Sequence, residues 1–216
     1  RYRSFSGPLF VDGPEALDVE QGAIANCYVA AAFAAIAHLR PGVLEGAIEE
    51  IPAEGPEGRR TFEVALFTGD GERRPFVVND DLLVRGDSSR PVYGRWNNSD
   101  GPELWYPIFE KAFNAWTDCK DGACRDDGWA ATGEGGSSLD VFEAVLGAQP
   151  ENHRLDRFHH RPEALVDLLE GALEAGEPLV AYTHGKGHEA RYRDTGLSAW
   201  HTYAVLGLER GPGDPR

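Results

Sequence analysis

Cys27 follows Asn26 and stands just before Val29-Ala-Ala-Ala-Phe33-Ala-Ala-Ile36, an alanine-rich apolar run that predicts a helix. A helix start presents unpaired N–H groups and the positive end of the helix dipole, which favour thiolate over thiol. Asn26 is a good N-cap residue, so the thiol falls in the first turn. Gln21, on the Gly22-containing loop just upstream, is placed to fold its amide N–H back beside the sulfur and meet an oxyanion. His201, far downstream at the start of an apolar run, is a group that can take the thiol proton and return it to a leaving amine. A cysteine at a helix start, a glutamine before it and a distant histidine make a cysteine-hydrolase pattern. Taken alone, a cysteine at the edge of an apolar helix is more often a small buried hydrophobe.

The elements that must hold these groups follow from the hydrophobic pattern. The Cys27 helix runs to about Leu39 and stops at Arg40-Pro41-Gly42. Thr61–Phe67 alternates as a strand, and Gly69-Asp-Gly71 turns it into Pro75-Phe-Val-Val78, a small antiparallel unit. Apolar residues at 104, 105, 108, 109, 112, 113 and 116 form a helical stripe from Glu103 to Trp116, with Pro107 tolerated in its first turns. Gly133 to Leu146 reads as a glycine-rich loop feeding a helix that starts near Ser137. A further helix spans Pro162 to Ala175 and ends at Gly176. Strands at Leu179–Thr183 and His201–Leu208 flank the polar loop Gly185–Ser198. Helices first and strands later make an α+β chain. We expect one domain in two lobes: residues 1–145 with Cys27, and residues 146–216 with His201.

A chain of 216 residues with 41% hydrophobic and 10% aromatic residues can fill a sizeable core. Its formal net charge of −15 argues against nucleic acid or an anionic membrane as partner and suits divalent cations or basic substrates. No apolar run is long enough to span a bilayer, and Arg1-Tyr-Arg-Ser does not read as a signal peptide. The chain lacks methionine, so Arg1 is expected to lie inside a longer, cytoplasmic or secreted, parent with further domains. Abundant Gly, Ala and Arg together with acidity give a bacterial flavour. Cys119 and Cys124 flank Lys-Asp-Gly-Ala and fit either a disulfide or two unrelated thiols. His184 and His188 at i, i+4 raise a metal pair with His201, but no helix and no third close ligand supports it.

Five blocks of this chain, in order, resemble the calpain family of cysteine proteases. Gln21-Gly22…Cys27-Tyr28 is similar to its Q-G-x-x-G-D-C-W segment, with Ala25, Asn26 and Tyr28 standing for the usual Gly, Asp and Trp. Val77–Leu83 is similar to V-V-I-D-D-x-L-P, and Glu103-Leu104-Trp105…Glu110-Lys111-Ala112-Phe113 to E-L-W…L-E-K-A-Y. Gly135-Gly136-Ser137 matches G-G-S/T, and Gly196–Gly207 looks like G-L-V-x-G-H-A-Y-S-V-L.

The resemblance implies a papain-like two-lobe α+β fold and an endopeptidase that cleaves protein or peptide substrates through an acyl-enzyme. Cys27 would be the nucleophile, His201 the base and acid, and Gln21 an oxyanion donor. The family's strand bearing the Asn that orients the histidine is expected after Arg216. Val11–Asp18 resembles the family's first calcium loop, which carries over the Val11 and Gly13 carbonyls and the Asp18 carboxylate as Ca²⁺ ligands. The family's further glutamate falls on Ala131, with Asp126, Asp127 or Glu134 as substitutes. Two other readings stand beside the protease: a glutamine deamidase or transamidase with the same nucleophile, and a non-catalytic module that keeps the fold.

Overall fold

The computed structural model describes residues 1–52, 59–97, 101–119, 130–209 and 211. At its centre is helix α1, Cys27–Leu39, in which nine residues from Tyr28 to Ala37 are buried. Alanine at most of these positions lets other elements approach from every side, and the helix is covered all round. Arg40 caps it through its N–H to the Ile36 carbonyl, and Pro41 opens a short second helix, α2 (Pro41–Glu45), that the sequence pattern did not announce.

Strands β1 (Tyr2–Ser4) and β2 (Val19–Glu20) precede α1, and β3 (Ile48–Ile51) follows it. A three-stranded antiparallel sheet joins β3, β4 (Thr61–Phe67) and β5 (Arg73–Asn79) in that order. Strand β4 alternates as expected, burying Phe62, Val64 and Leu66. Strands β6 (Asp81–Leu83) and β7 (Arg95–Trp96) pair with β1 and β2 as two-stranded ribbons.

Helix α3, Trp105–Cys119, lays the expected stripe against α1. The Phe33 ring meets Phe109 at 5.4 Å and Tyr106 at 5.9 Å between centroids. Opposite the stripe's centre, Lys111 donates to the Asn79 and Asp81 carbonyls and to the Asn79 side chain, tying α3 to the end of β5. The helix runs on to Cys119, which is disulfide-bonded; Cys124 lies outside the described residues.

The rest is a short helix α4 (Ala130–Gly133), α5 (Ser138–Leu146), α6 (Pro162–Glu174) and the strand pair β8 (Leu179–Tyr182) and β9 (Thr202–Val205). Ser137 caps α5 with its side chain accepting from Leu139 N–H, and Gly147 closes it in a left-handed conformation. Strands β8 and β9 pair antiparallel with Tyr182 opposite Thr202, and both lie against α1. No described helix is long and apolar enough to cross a membrane.

Candidate active site

A cleft that gathers the candidate residues lies where β8–β9 meets the start of α1. Its walls include Gln21, Ala25, Cys27, Tyr28, Gly135, Gly136, Tyr182, Thr183, Trp200, His201 and Thr202, around a space of about 290 Å³. A larger hollow of about 670 Å³ near Arg3, Arg90 and Trp96 is lined by neither cysteine nor histidine. Volume alone would therefore misplace the site.

The loop leading to Cys27 is strapped down on both sides. Ala23 N–H donates to the Val92 carbonyl, Ala25 N–H to Gly133, and Gly135 N–H returns to the Ala25 carbonyl. Gly22 is needed there: a Cβ would fall 2.1 Å from the Tyr93 carbonyl oxygen and 2.2 Å from that of Val92. Behind the cleft, Ser138 donates through Oγ to the Tyr28 carbonyl at 2.8 Å, fastening α5 to the first turn of α1.

Cys27 is the first residue of α1 and a free thiol, half-buried at the cleft floor. As the first helical residue its own N–H has no acceptor within the helix, so it is available to a ligand. The Sγ donates a long hydrogen bond to Thr202 Oγ1 at 3.7 Å. His201 lies beside Thr202, just before β9, with its ring edge-on to that of Tyr203 at 4.8 Å. Cysteine and histidine thus share one cleft without a hydrogen bond between them. Burial lowers the imidazole's affinity for a proton below the ordinary histidine value, favouring the neutral base.

Gln21 lines the same cleft, with its amide held by donation of one Nε2–H to the Ile24 carbonyl at 2.7 Å. The amide carries a second N–H that this bond does not use. Around the histidine, Thr183 Oγ1 accepts from His201 N–H at 2.9 Å, and Thr183 N–H donates to the His201 carbonyl. Trp200 turns the chain into β9 with a positive φ of 53°, a costly conformation for so large a residue. Its ring lies close to Gly135 and is covered by Lys186 Nζ at 3.8 Å from the ring centroid.

The other expected ligands are not gathered in the same way. Asp18 Oδ2 is already accepting from Glu15 N–H at 2.6 Å, in a capping box, and from Trp105 Nε1 at 3.1 Å. Val11 N–H donates to Glu103 Oε1, and Gly13 lies in a left-handed turn. Two carbonyls and one committed carboxylate fall short of the six to eight oxygens that Ca²⁺ takes. Among the described residues no three acidic, histidine or cysteine side chains gather as a metal site. Of the expected substitutes for the glutamate, Asp126 and Asp127 lie outside the described residues. Among the described residues, Val11, Gly13 and Asp18 alone do not make up a calcium shell. The His184 and His188 rings meet at a tilt, 5.2 Å between centroids, and Arg191 reaches the His184 ring, so that pair is a surface cluster on the loop before β9.

Thr202, Tyr182, Trp200 and Glu110, the last a buried carboxylate bonded to Asn26, were not foreseen as part of this region. The pattern His201-Thr202 in a strand start held the one usable signal, since alternate residues of a strand that packs on α1 must face the cysteine.

A family model described as calpain family cysteine protease matches residues 3–212. The calpain-1 catalytic subunit of Bos taurus is 29% identical over 178 residues, covering 81% of this chain and 22% of that protein. A calpain of Schistosoma mansoni is 25% identical over 203 residues, 93% of this chain and 24% of its own length. The human calpain-1 catalytic subunit is 28% identical over 177 residues. The chain spans about a quarter of the length of these relatives.

Proposed function

The chain belongs to the calpain family of cysteine proteases, and on that premise we propose that it is a cysteine endopeptidase working in the cleft between a Cys27 lobe, residues 1–145, and a His201 lobe, residues 146–216. The observation that carries this reading is the convergence of Gln21 and Cys27 with the distant His201 on one cleft. An extended segment of a protein substrate lies along Gly135-Gly136 and presents a peptide carbonyl to Cys27 Sγ. The thiol passes from Thr202 Oγ1 to the His201 ring, which takes its proton. Sulfur attacks the carbonyl carbon, and the oxyanion is met by the free N–H of Cys27 and the second N–H of Gln21. The imidazolium then protonates the departing amine as the C–N bond breaks, leaving a thioester. Water, deprotonated by the same imidazole, attacks the thioester and releases the acid and the thiol.

Calcium is given no step. Calorimetry with Ca²⁺ on the protein and on Asp18→Ala tests this: tight binding abolished by the substitution would restore Val11, Gly13 and Asp18 as ligands.

The test of the main reading is mass spectrometry of an unfolded protein incubated with the chain and with Cys27→Ala. New peptide termini that require Cys27 support the endopeptidase. Deamidated glutamines on an uncut substrate would replace it with a deamidase. No covalent change, with Cys27 inert to iodoacetamide in folded protein, would leave a binding module.

A further inference from the structure

A buried carboxyl that the mechanism above does not use sits directly behind the nucleophile. Glu110, on α3, is 1% exposed, and no cation pairs with it among the described ion pairs. Its oxygens instead collect three donors from three parts of the chain. Oε1 accepts from Asn26 Nδ2 at 2.5 Å and from Tyr106 OH at 3.3 Å; Oε2 accepts from Gly94 N–H at 2.5 Å. The cradle is shaped to it: a Cβ on Gly94 would fall 2.7 Å from Oε2 and 2.9 Å from the Tyr106 ring. A buried carboxyl is costly as mere packing, so its hydrogen bonds are the reason to look for a role.

Asn26 is the residue before Cys27 and is fully buried. Its side chain does not cap α1, although the sequence pattern predicts that it should. The bond to Glu110 is what holds it, while its backbone carbonyl accepts from Val29 and Ala30 N–H to open the helix. Its Oδ1 is buried with no hydrogen-bond partner. We infer that Glu110 is a positioning residue for the nucleophile: by fixing Asn26 it fixes the first turn of α1 and the aim of Cys27 Sγ. This rests on the proposal that Cys27 is the nucleophile.

The same geometry makes the hold sensitive to protonation. Ionised, Glu110 accepts from Asn26 Nδ2 as seen here. Neutral, it has an O–H to donate, either to the Tyr106 hydroxyl oxygen or to the Asn26 amide turned over with the now orphaned Oδ1 facing Glu110, and in both cases its hold on Asn26 Nδ2 is weakened or exchanged. The groups facing it are phenols that supply no positive charge: Tyr106 on its own helix, Tyr28 on α1 and Tyr93 before β7. Burial without a cation raises the Glu110 pKa to about 7, so both arrangements are reached near neutrality.

The experiment reads the thiol directly. The rate of Cys27 alkylation by iodoacetamide is followed from pH 5 to 9 by peptide mapping, in the protein and in Glu110→Gln, whose amide is the isostere of the neutral acid. Wild type is expected to show an inflection near pH 7 above that of His201, which titrates below the ordinary histidine range. Glu110→Gln is expected to fold and to lose that inflection, keeping only the thiol and imidazole titrations. Asn26→Ala, which removes the hold without burying a new charge, is expected to slow alkylation by about tenfold or more. An unchanged pH profile in Glu110→Gln, or wild-type alkylation in Asn26→Ala, would overturn the inference. Because no substrate turnover is read, a protein that alkylates as expected but cuts no peptide would refute the endopeptidase and leave the Glu110 assignment standing.

Discussion

The two groups proposed to do the chemistry, Cys27 and His201, stand on very different ground. Every buried apolar residue among those described lies between Phe5 and Val145, in the region that carries Cys27. Beyond Val145, Thr202 alone among the described residues is buried, and α6 buries none of its side chains. Cys27 is therefore aimed by a close-packed core of α1, α3, α5 and the β3–β4–β5 sheet. His201 is carried by a strand pair whose principal anchor is the flank of α1. A cysteine hydrolase needs its two groups in one geometry, and here that geometry is only as firm as the contact between a dense region and a sparse one. The sulfur's hydrogen bond to Thr202 rather than to His201 is the local expression of that contrast.

The largest effect expected from this contrast is on stability. Phe109 is fully buried and touches both Phe33 and Trp105. Phe109→Ala should cost about 3–5 kcal/mol. Leu168→Ala, on the half-exposed face of α6, should cost under about 1 kcal/mol. Denaturant melts of the two variants measure the difference; equal costs would mean that the second region has a core of its own.

A smaller effect comes from two neighbours on α3. Glu110 is raised by burial to about 7, and Lys111, largely desolvated, is lowered to about 8. Both shifts mean that the folded state disfavours the charged form. For Glu110 stability is greatest below the ordinary carboxylate pKa and is lost as pH rises to about 7. For Lys111 stability is reduced below about 8 and regained as pH rises towards the ordinary lysine value. Each limb is on the order of 3 kcal/mol, with the minimum between pH 7 and 8. Thermal melts against pH should show Glu110→Gln flattening the acid limb and Lys111→Met the alkaline one. A stability maximum at pH 7 to 8 would contradict both burial arguments.

The sequence was most informative where a local pattern decided the structure. The Cys27 helix, the α3 stripe, the β4 alternation and the Ser137 cap are each written in consecutive residues, and the structure forms them there. Gln21, Cys27 and His201 could be singled out because their types and order suggest a chemistry, and the fold brings them to one cleft. Glu110 was not, since on α3 it falls off the apolar stripe and looks like a solvated charge. Its burial depends on Asn26 and Gly94, which only the fold brings to it. Asp18 shows the opposite case: its type suits a cation, while the fold also gives one of its oxygens a turn of its own chain to close and the Trp105 N–H to accept. Short strands such as β1, β2 and β7 carry too few residues to show a period, and exist because distant partners pair with them.

The smallest effect, and the one aimed most directly at the seam between the regions, concerns Tyr182. Its hydroxyl accepts from Ser138 N–H at 2.6 Å, so a residue of β8 completes an otherwise open donor at the start of α5. The same ring lines the cleft, and Tyr182 stands opposite Thr202, the partner of the sulfur. Ser138 in turn grips the first turn of α1 through the Tyr28 carbonyl. This hydrogen bond, beside the one from Cys27 Sγ to Thr202, links the strand pair next to His201 to the packed body bearing Cys27. Tyr182→Phe keeps the ring and removes only that bond, at a cost of about 1 kcal/mol. If the bond holds the seam, amides of β8 and β9 should exchange faster in the variant while those of α1 and α3 do not change. Turnover should fall by a few-fold through kcat rather than KM, because the misplaced group is the base and not the peptide-binding wall. Uniformly faster exchange across α1 and α3 as well would show that the two regions open as one unit, and the contrast drawn between them would be lost.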